Sequence, residues 1–173
     1  MHRRHPLPRL WLMTDERMGD SLMPALERLP RGSGVVFRHY GLPSAERRAL
    51  FAKVTKVAHM RGLLLVRAGS RRLGRGEAGV HGERSDGLTT WPAHSRREAI
   101  TAIRAGADVL FVSPVFPTRS HPGARTLGRV RLGLMIRGLG VPVIALGGMD
   151  ARQAAGLRAL GIYGWAGIDA WIR

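Results

Sequence analysis

The densest group of side chains able to hold an anion lies at residues 113–121, Ser113-Pro114-Val115-Phe116-Pro117-Thr118-Arg119-Ser120-His121. It follows Val109–Ser113, an apolar run that reads as a strand. Pro114 and Pro117 stiffen the loop. Thr118 and Ser120 bring hydroxyls, and Arg119 and His121 bring cations, a set suited to phosphate or pyrophosphate. A polar, solvated loop is the competing reading, and the crowding of donors after a buried strand favours the functional one. Gly147-Gly148 follows a second apolar run, Val141–Leu146, and precedes Asp150, a helix cap. Adjacent glycines let the backbone approach a ligand, and free N–H groups at a helix start attract anions. The same pair also serves an ordinary strand-to-helix turn. Arg38, in Arg38-His39-Tyr40, ends another strand and suits bidentate phosphate binding or a surface ion pair. His81 ends a further strand, with Glu83 and Asp86 after it. A carboxylate beside a phosphate site suggests Mg²⁺, although a lone loop carboxylate is more often simply solvated. His94 precedes a helix cap and reads as structural.

Strands and helices alternate around these groups, which predicts a parallel sheet or barrel. The expected strands are Leu10–Thr14, Gly34–Tyr40, Leu63–Val66, Ala78–His81, a weak Leu88–Pro92, Val109–Ser113, Val141–Leu146 and Ile162–Ile168. The expected helices are Ser21–Leu29, a long one capped by Ser44 and ended by Gly62, one opened by the capping box Ser95-Arg96-Arg97-Glu98, Arg129–Arg137, and one capped by Asp150 through about Leu160. Residues 15–20 read as a loop, and Arg67–Gly76 has no helical pattern. The fold class expected is α/β, a compact (β/α)8 TIM-type barrel with one or more helices missing or shortened. In such barrels the residues that follow the strands build the active site.

The chain has 173 residues, 45% hydrophobic, with 23 Gly and 10 Pro. That fits one globular domain, 1–173, with a basic N-terminal tail at 1–9. No apolar run approaches the roughly 20 residues of a membrane span. Residues 10–13 are too short for a signal-peptide core of about 7 apolar residues or more. A cytoplasmic location without membrane attachment is expected. With no Cys, disulfides, thiol catalysis and Cys-bound zinc are excluded. The net charge is +16, and of the 28 basic residues all but Lys53 and Lys56 are arginine. Such charge attracts polyanions or phosphorylated substrates. The arginines are dispersed and not interleaved with aromatics, so compositional bias over solvated helix faces is the simpler reading and nucleic acid is not the expected partner.

Several motifs stand together in one order: Leu12-Met13-Thr14-Asp15, Val36-Phe37-Arg38-His39-Tyr40-Gly41, Gly79-Val80-His81 with Asp86, Ala93-His94-Ser95, Gly106-Ala107-Asp108 leading to Ser113–Thr118, and Pro142–Met149. The set resembles the thiamine phosphate synthase family, which includes the thiazole tautomerases, from about residue 10 to 170. The resemblance implies that a hydroxymethylpyrimidine diphosphate loses Mg²⁺-bound pyrophosphate and that a thiazole phosphate captures the pyrimidine cation. By position it implies Arg38 and His121 as catalytic residues. It places Arg38 on the pyrophosphate side with Asp86 as Mg²⁺ ligand; Tyr40 is expected to bind substrate beside Arg38, and Arg67 to replace part of the positive charge lost there. It places Thr118, Ser120, His121, Gly147, Gly148 and Ile168 on the thiazole phosphate side.

The chain departs from the family pattern at several of these positions. Val36 and Tyr40 stand for a Gln and a Lys in the second strand motif. Arg67-Ala68 replaces an Asn-Asp pair and removes one Mg²⁺ ligand. Pro92 stands for a Ser, His121 for a Lys, and Asp169 for a phosphate-facing Ser, where its charge would repel phosphate. The tautomerase His has Pro114 in its place. Three functions are therefore expected in competition. The first is synthase chemistry on the two phosphorylated precursors with an eroded site. The second is a non-catalytic family member binding thiamine-related phosphates as a regulatory or binding module, and the third is a polyanion-binding protein. A homo-oligomer is compatible with each.

Overall fold

Burial is unbroken through many of the strands. Gly34–Phe37, Gly79–His81, Val109–Val112 and Gly164–Gly167 are buried at every position, as parallel strands covered on both faces require. The computed structural model describes residues 6–120 and 122–172. The strands β1 (Leu10–Met13), β2 (Gly34–Phe37), β3 (Leu64–Ala68), β4 (Gly79–His81), β5 (Leu88–Ala93), β6 (Val109–Val112), β7 (Val143–Leu146) and β8 (Gly164–Gly167) close a parallel barrel in chain order. The seam pairs Trp11 of β1 with Ala166 of β8. The helices are α1 (Leu22–Arg28), α2 (Ser44–Arg61), α3 (Arg96–Arg104), α4 (Gly128–Ile136) and α5 (Ala151–Leu157).

The barrel interior is packed with side chains. Trp11 meets the edge of Phe111 at 5.2 Å, and Phe111 meets His81 at 5.3 Å. Gly34 lies opposite Trp11 in register, and a β-carbon there would fall within the indole ring. A large residue on one strand is thus answered by a missing side chain on the next. Outside, Phe37 packs on Phe51 of α2 at 5.3 Å, while Leu132, Met135 and Leu157 fill the space between α4, α5 and the sheet.

The outer coat is incomplete. Among the described residues no helix joins β3 to β4 or β4 to β5, as the pattern around Arg67–Gly76 led us to expect. After β8 the described residues form a 3-10 turn, Asp169–Trp171, and no helix. Its Trp171 stacks on Trp165 (5.4 Å, 4° between planes) and donates Nε1–H to the Trp11 carbonyl at 3.3 Å, covering the seam where a last helix would lie.

Local boundaries differ from the sequence reading for identifiable reasons. Residues 16–21 form a 3-10 helix, because Asp15 accepts the Arg17 N–H at 3.1 Å. The strand expected to reach Tyr40 stops at Phe37, because the Arg38 N–H turns to the Thr14 hydroxyl at 3.0 Å and His39 adopts φ +37°. Ser44 is the first residue of α2 and does not cap it. Pro43 holds the cap position, and the Ser44 hydroxyl accepts from Arg71 at 2.6 Å. The capping box at Ser95 forms as expected, with Ser95 Oγ accepting the Glu98 N–H and Glu98 accepting the His94 N–H. Helix α5 ends at Leu157 and tightens into a 3-10 turn, Arg158–Leu160. The weak strand expected at Leu88–Pro92 is a full six-residue β5.

The Trp11–Gly34 fit predicts that Gly34→Ala lowers stability by about 2 kcal/mol through overpacking. Adding Trp11→Leu should recover part of the loss, giving a double mutant more stable than the sum of the single effects. Urea unfolding of the four proteins measures both terms.

Candidate functional site

A cleft of about 1500 Å³ opens at the C-terminal ends of the strands and continues along the outer side of β8. Its floor includes Met13, Phe111, Leu146 and Ile168, and its rim is polar. On the β1–β2 side Arg38 is held from three directions. Its N–H bonds Thr14 Oγ1 (3.0 Å), its Nε donates to the Thr14 carbonyl (2.8 Å), and its Nη2 pairs with Asp15 (2.8 Å). Asp15 also takes Arg17 Nε at 2.8 Å. Burial alone would raise the pKa of Asp15, but the Arg17 hydrogen bonds and the charges of Arg17 and Arg38 outweigh it and hold the carboxyl below its ordinary range. Arg47, buried on α2, donates to the carbonyls of Arg38 and Ala68 at 2.8 Å each. It also lies under Tyr40, 5.3 Å from the ring centre, and so ties the ends of β2 and β3 together.

The opposite wall comes from the loops after β6 and β7. The loop 114–127 is pinned to the end of β7 by Val115 N–H to Leu146 O (2.9 Å) and Phe116 N–H to Gly147 O (3.0 Å). It lies so close that a β-carbon on Gly147 would sit 2.8 Å from Pro114 Cα, and one on Gly148 would sit 2.8 Å from Phe116 Cβ. Both glycines have positive φ, +93° and +62°. Gly147-Gly148 thus has a packing role that neither ligand approach nor a plain turn had suggested. Asp150 caps the short helix α5 by accepting the Gln153 N–H at 2.7 Å. Arg17 crosses the rim and donates to Ser120 Oγ at 2.8 Å.

The cleft brings together Arg38, Tyr40, Thr118, Ser120, Gly147, Gly148 and Ile168. Arg67 is elsewhere. Its register partner Phe37 packs outward on α2, and Arg67 shares that outer face, paired with Glu77 at 2.8 Å and Glu83 at 3.8 Å and bonded to the Gly69 carbonyl. It fills the space of the missing third helix. Asp86 is exposed in the loop after β4 and does not line the cleft. His121 lies outside the described residues. Asp169 does reach the cleft, but its charge is met by Arg119 at 3.1 Å.

Two groups that the local sequence does not mark as functional lie in the cleft (His94) or beside it (Arg17). His94 lines the cleft, and its Nδ1 bonds the Ser113 carbonyl at 2.8 Å. A carbonyl accepts only, so Nδ1 carries a proton. Arg17 was part of an apparent loop, and only the fold brings it to Ser120; nothing in its local sequence marks it. His81, inside the mouth, bonds Thr90 Oγ1 at 2.9 Å, and burial followed by the nearby Arg38 charge lowers its pKa to about 4.

The donor set does not fit a divalent ion held by the protein. Among the described residues no three His, Cys, Asp or Glu side chains gather as metal ligands would. Asp15 is engaged by two guanidiniums, Asp169 by one, and Asp150 by a helix N–H.

An eight-stranded parallel barrel with its polar cleft at the ends of the strands defines a (β/α)8 barrel protein. The family model for thiamine monophosphate synthase matches residues 83–171. A candidate second thiamine-phosphate synthase of Aquifex aeolicus is 31% identical over 96% of this chain and 98% of its own length. The thiamine-phosphate synthase of Salinispora tropica is 42% identical over 42% of this chain, a match spanning 35% of that protein. In three dimensions the thiamine phosphate pyrophosphorylase of Pyrococcus furiosus superposes with a TM-score of 0.79 at 23% identity, covering 96% of this chain and 87% of that one, which shows a shared fold. The chain belongs to the thiamine monophosphate synthase family. Among the described residues no helix is long and apolar enough to cross a membrane.

His81 gives the site a pH signature. Its unfolded pKa lies near 6.5 and its folded pKa near 4. The unfolded chain therefore binds more protons between these values, and stability falls as pH drops from 6.5 toward 4. At pH 5 this one group should cost about 2 kcal/mol relative to pH 7. Urea unfolding at both pH values should show a smaller drop for His81→Gln than for the parent; equal drops would assign the dependence to other groups.

Proposed function

We propose that this chain is a transferase of the thiamine-phosphate synthase type, joining a hydroxymethylpyrimidine diphosphate to a thiazole phosphate. One observation carries the reading. A single cleft sets Arg38, anchored by Thr14 and Asp15, across from Thr118, Ser120 and the Gly147-Gly148 turn. Groups suited to two separate anionic moieties thus face one space. Family membership supports the same reaction.

The reaction breaks the C–O bond to the diphosphate, and the electron pair leaves with pyrophosphate. The lone pair of the thiazole nitrogen forms the new C–N bond. This exchange requires no proton transfer. The protein's task is to stabilise the negative charge that grows on the leaving group, which a fixed guanidinium at Arg38 does without reorganising. It must also hold the two rings in line. The apolar floor of Met13, Leu146 and Ile168 keeps water from a reactive pyrimidine cation.

Arg38→Met should lower the rate of thiamine phosphate formation by about 100-fold, the usual cost of losing one such donor. Incubation of the purified protein with both precursors and chromatography of the product measures it. No product from the parent protein, beside an authentic synthase that works in the same mixture, overturns the reading. Retained thiamine phosphate binding without turnover would assign the chain to the binding-module alternative.

A further inference from the structure

On the β1–β2 side Arg38 lines the cleft, and Asp15 and Arg17, just outside its lining, join it in a chain of ion pairs. Asp15 sits between two guanidiniums, 2.8 Å from Arg17 Nε and 2.8 Å from Arg38 Nη2. Arg17 goes on to Ser120 Oγ at 2.8 Å, so one side chain spans the loops after β1 and β6. A third guanidinium, Arg47, lies just behind, with its Nη2 on the Arg38 and Ala68 carbonyls. Its buried Nε has no hydrogen-bond partner among the described residues. Besides Asp15, the nearby carboxylate is Glu16, which accepts the Gly41 N–H at 2.6 Å. Positive charge therefore exceeds negative charge at this rim.

A divalent ion finds little here. Mg²⁺ is usually held by one or two carboxylates together with substrate phosphates, and Asp15, the carboxylate beside Arg38, has both oxygens in guanidinium bonds. Asp86 does not line the cleft. Guanidinium forks, by contrast, match the oxygens of a diphosphate directly.

We propose that the cleft takes a diphosphate through guanidinium groups: Arg38 and Arg17, held side by side by Asp15, exchange that carboxylate for the diphosphate, so that anion binding here needs no divalent metal. The proposal rests on the transferase reading for its substrate class, but it is tested apart from turnover. Ser120, freed when Arg17 turns to the anion, becomes available to the second phosphate-bearing ring on the opposite wall. Asp15 thereby couples the two sides of the cleft.

Calorimetry with inorganic pyrophosphate, in EDTA and again with excess Mg²⁺, reads the proposal on the full chain. The affinity in EDTA should match that with Mg²⁺ to within a few-fold. Arg17→Met should weaken binding in EDTA by about tenfold or more, as loss of a charge-assisted hydrogen bond does, and Arg17→Lys should restore part of it. Asp15→Asn, which removes the competing carboxylate, should tighten binding. Arg104→Met, at an exposed position of α3, controls for attraction to the basic surface and should leave affinity unchanged. Binding that requires Mg²⁺, an unaffected Arg17→Met protein, or weakening in Asp15→Asn each overturns the proposal. If pyrophosphate requires Mg²⁺ while thiamine phosphate is still formed, the proposal fails and the transferase reading stands. If pyrophosphate binds in EDTA and no product forms, the transferase reading fails and the metal-free anion site stands.

Discussion

Eight short parallel strands can close on themselves only if the space they enclose is filled to close packing, and here rings fill it. Phe111 meets Trp11 on one side and His81 on the other edge to face across the interior, and Gly34 exists as glycine because Trp11 occupies its side-chain volume. This filling has a consequence for the mouth. The interior is occupied up to His81, so a ligand can rest only above it, against the side chains that follow the strands. The imidazole at that boundary is stripped of water and stays neutral. A neutral polar floor leaves the recognition of charge to the rim, where the arginines are.

The rim is organised by paired opposites. Asp15 fixes Arg17 and Arg38, and Asp169 meets Arg119. The exposed Arg119–Asp169 pair contributes little to folding stability, while the Arg38–Asp15 pair is part-buried. Their effect is positional, since each keeps a guanidinium at the cleft edge in a defined direction while leaving it exchangeable for a better anion. Asp169, which looked hostile to phosphate from its position in the sequence, therefore sits beside a cation that the same loop sequence supplies.

The barrel was legible because its evidence is periodic and local. Apolar runs, the Ser95 capping box and the Asp150 cap each declare themselves within a few residues, and their order leaves few topologies. The missing third helix was legible too, because Arg67–Gly76 lacks any apolar period. The cleft positions were legible where residues follow a strand closely, as Arg38 and Gly148 do, or lie in the donor-rich loop after one, as Thr118 does. Arg17 was not, because its importance lies in a contact with Ser120 more than a hundred positions away, and nothing beside it in sequence encodes that. Arg67 misled for a related reason. Strand alternation decides which face a residue takes, and a shift of one position separates the mouth from the outer coat. His94 read as part of a helix start, which it is, although its ring also faces the cleft.

The incomplete outer coat divides the barrel unequally. Strands β1, β2, β5, β6 and β7 are each followed by a helix with a buried face, whereas β3 and β4 are followed by loops and the Arg67 ion pairs. Local opening costs least where few apolar contacts must be broken. The arc around β3 and β4 should thus be the part of the wall that exchanges its amide protons soonest. A closed hydrogen-bond ring with one lightly covered arc can breathe at that arc without parting the seam that Trp171 covers on the far side.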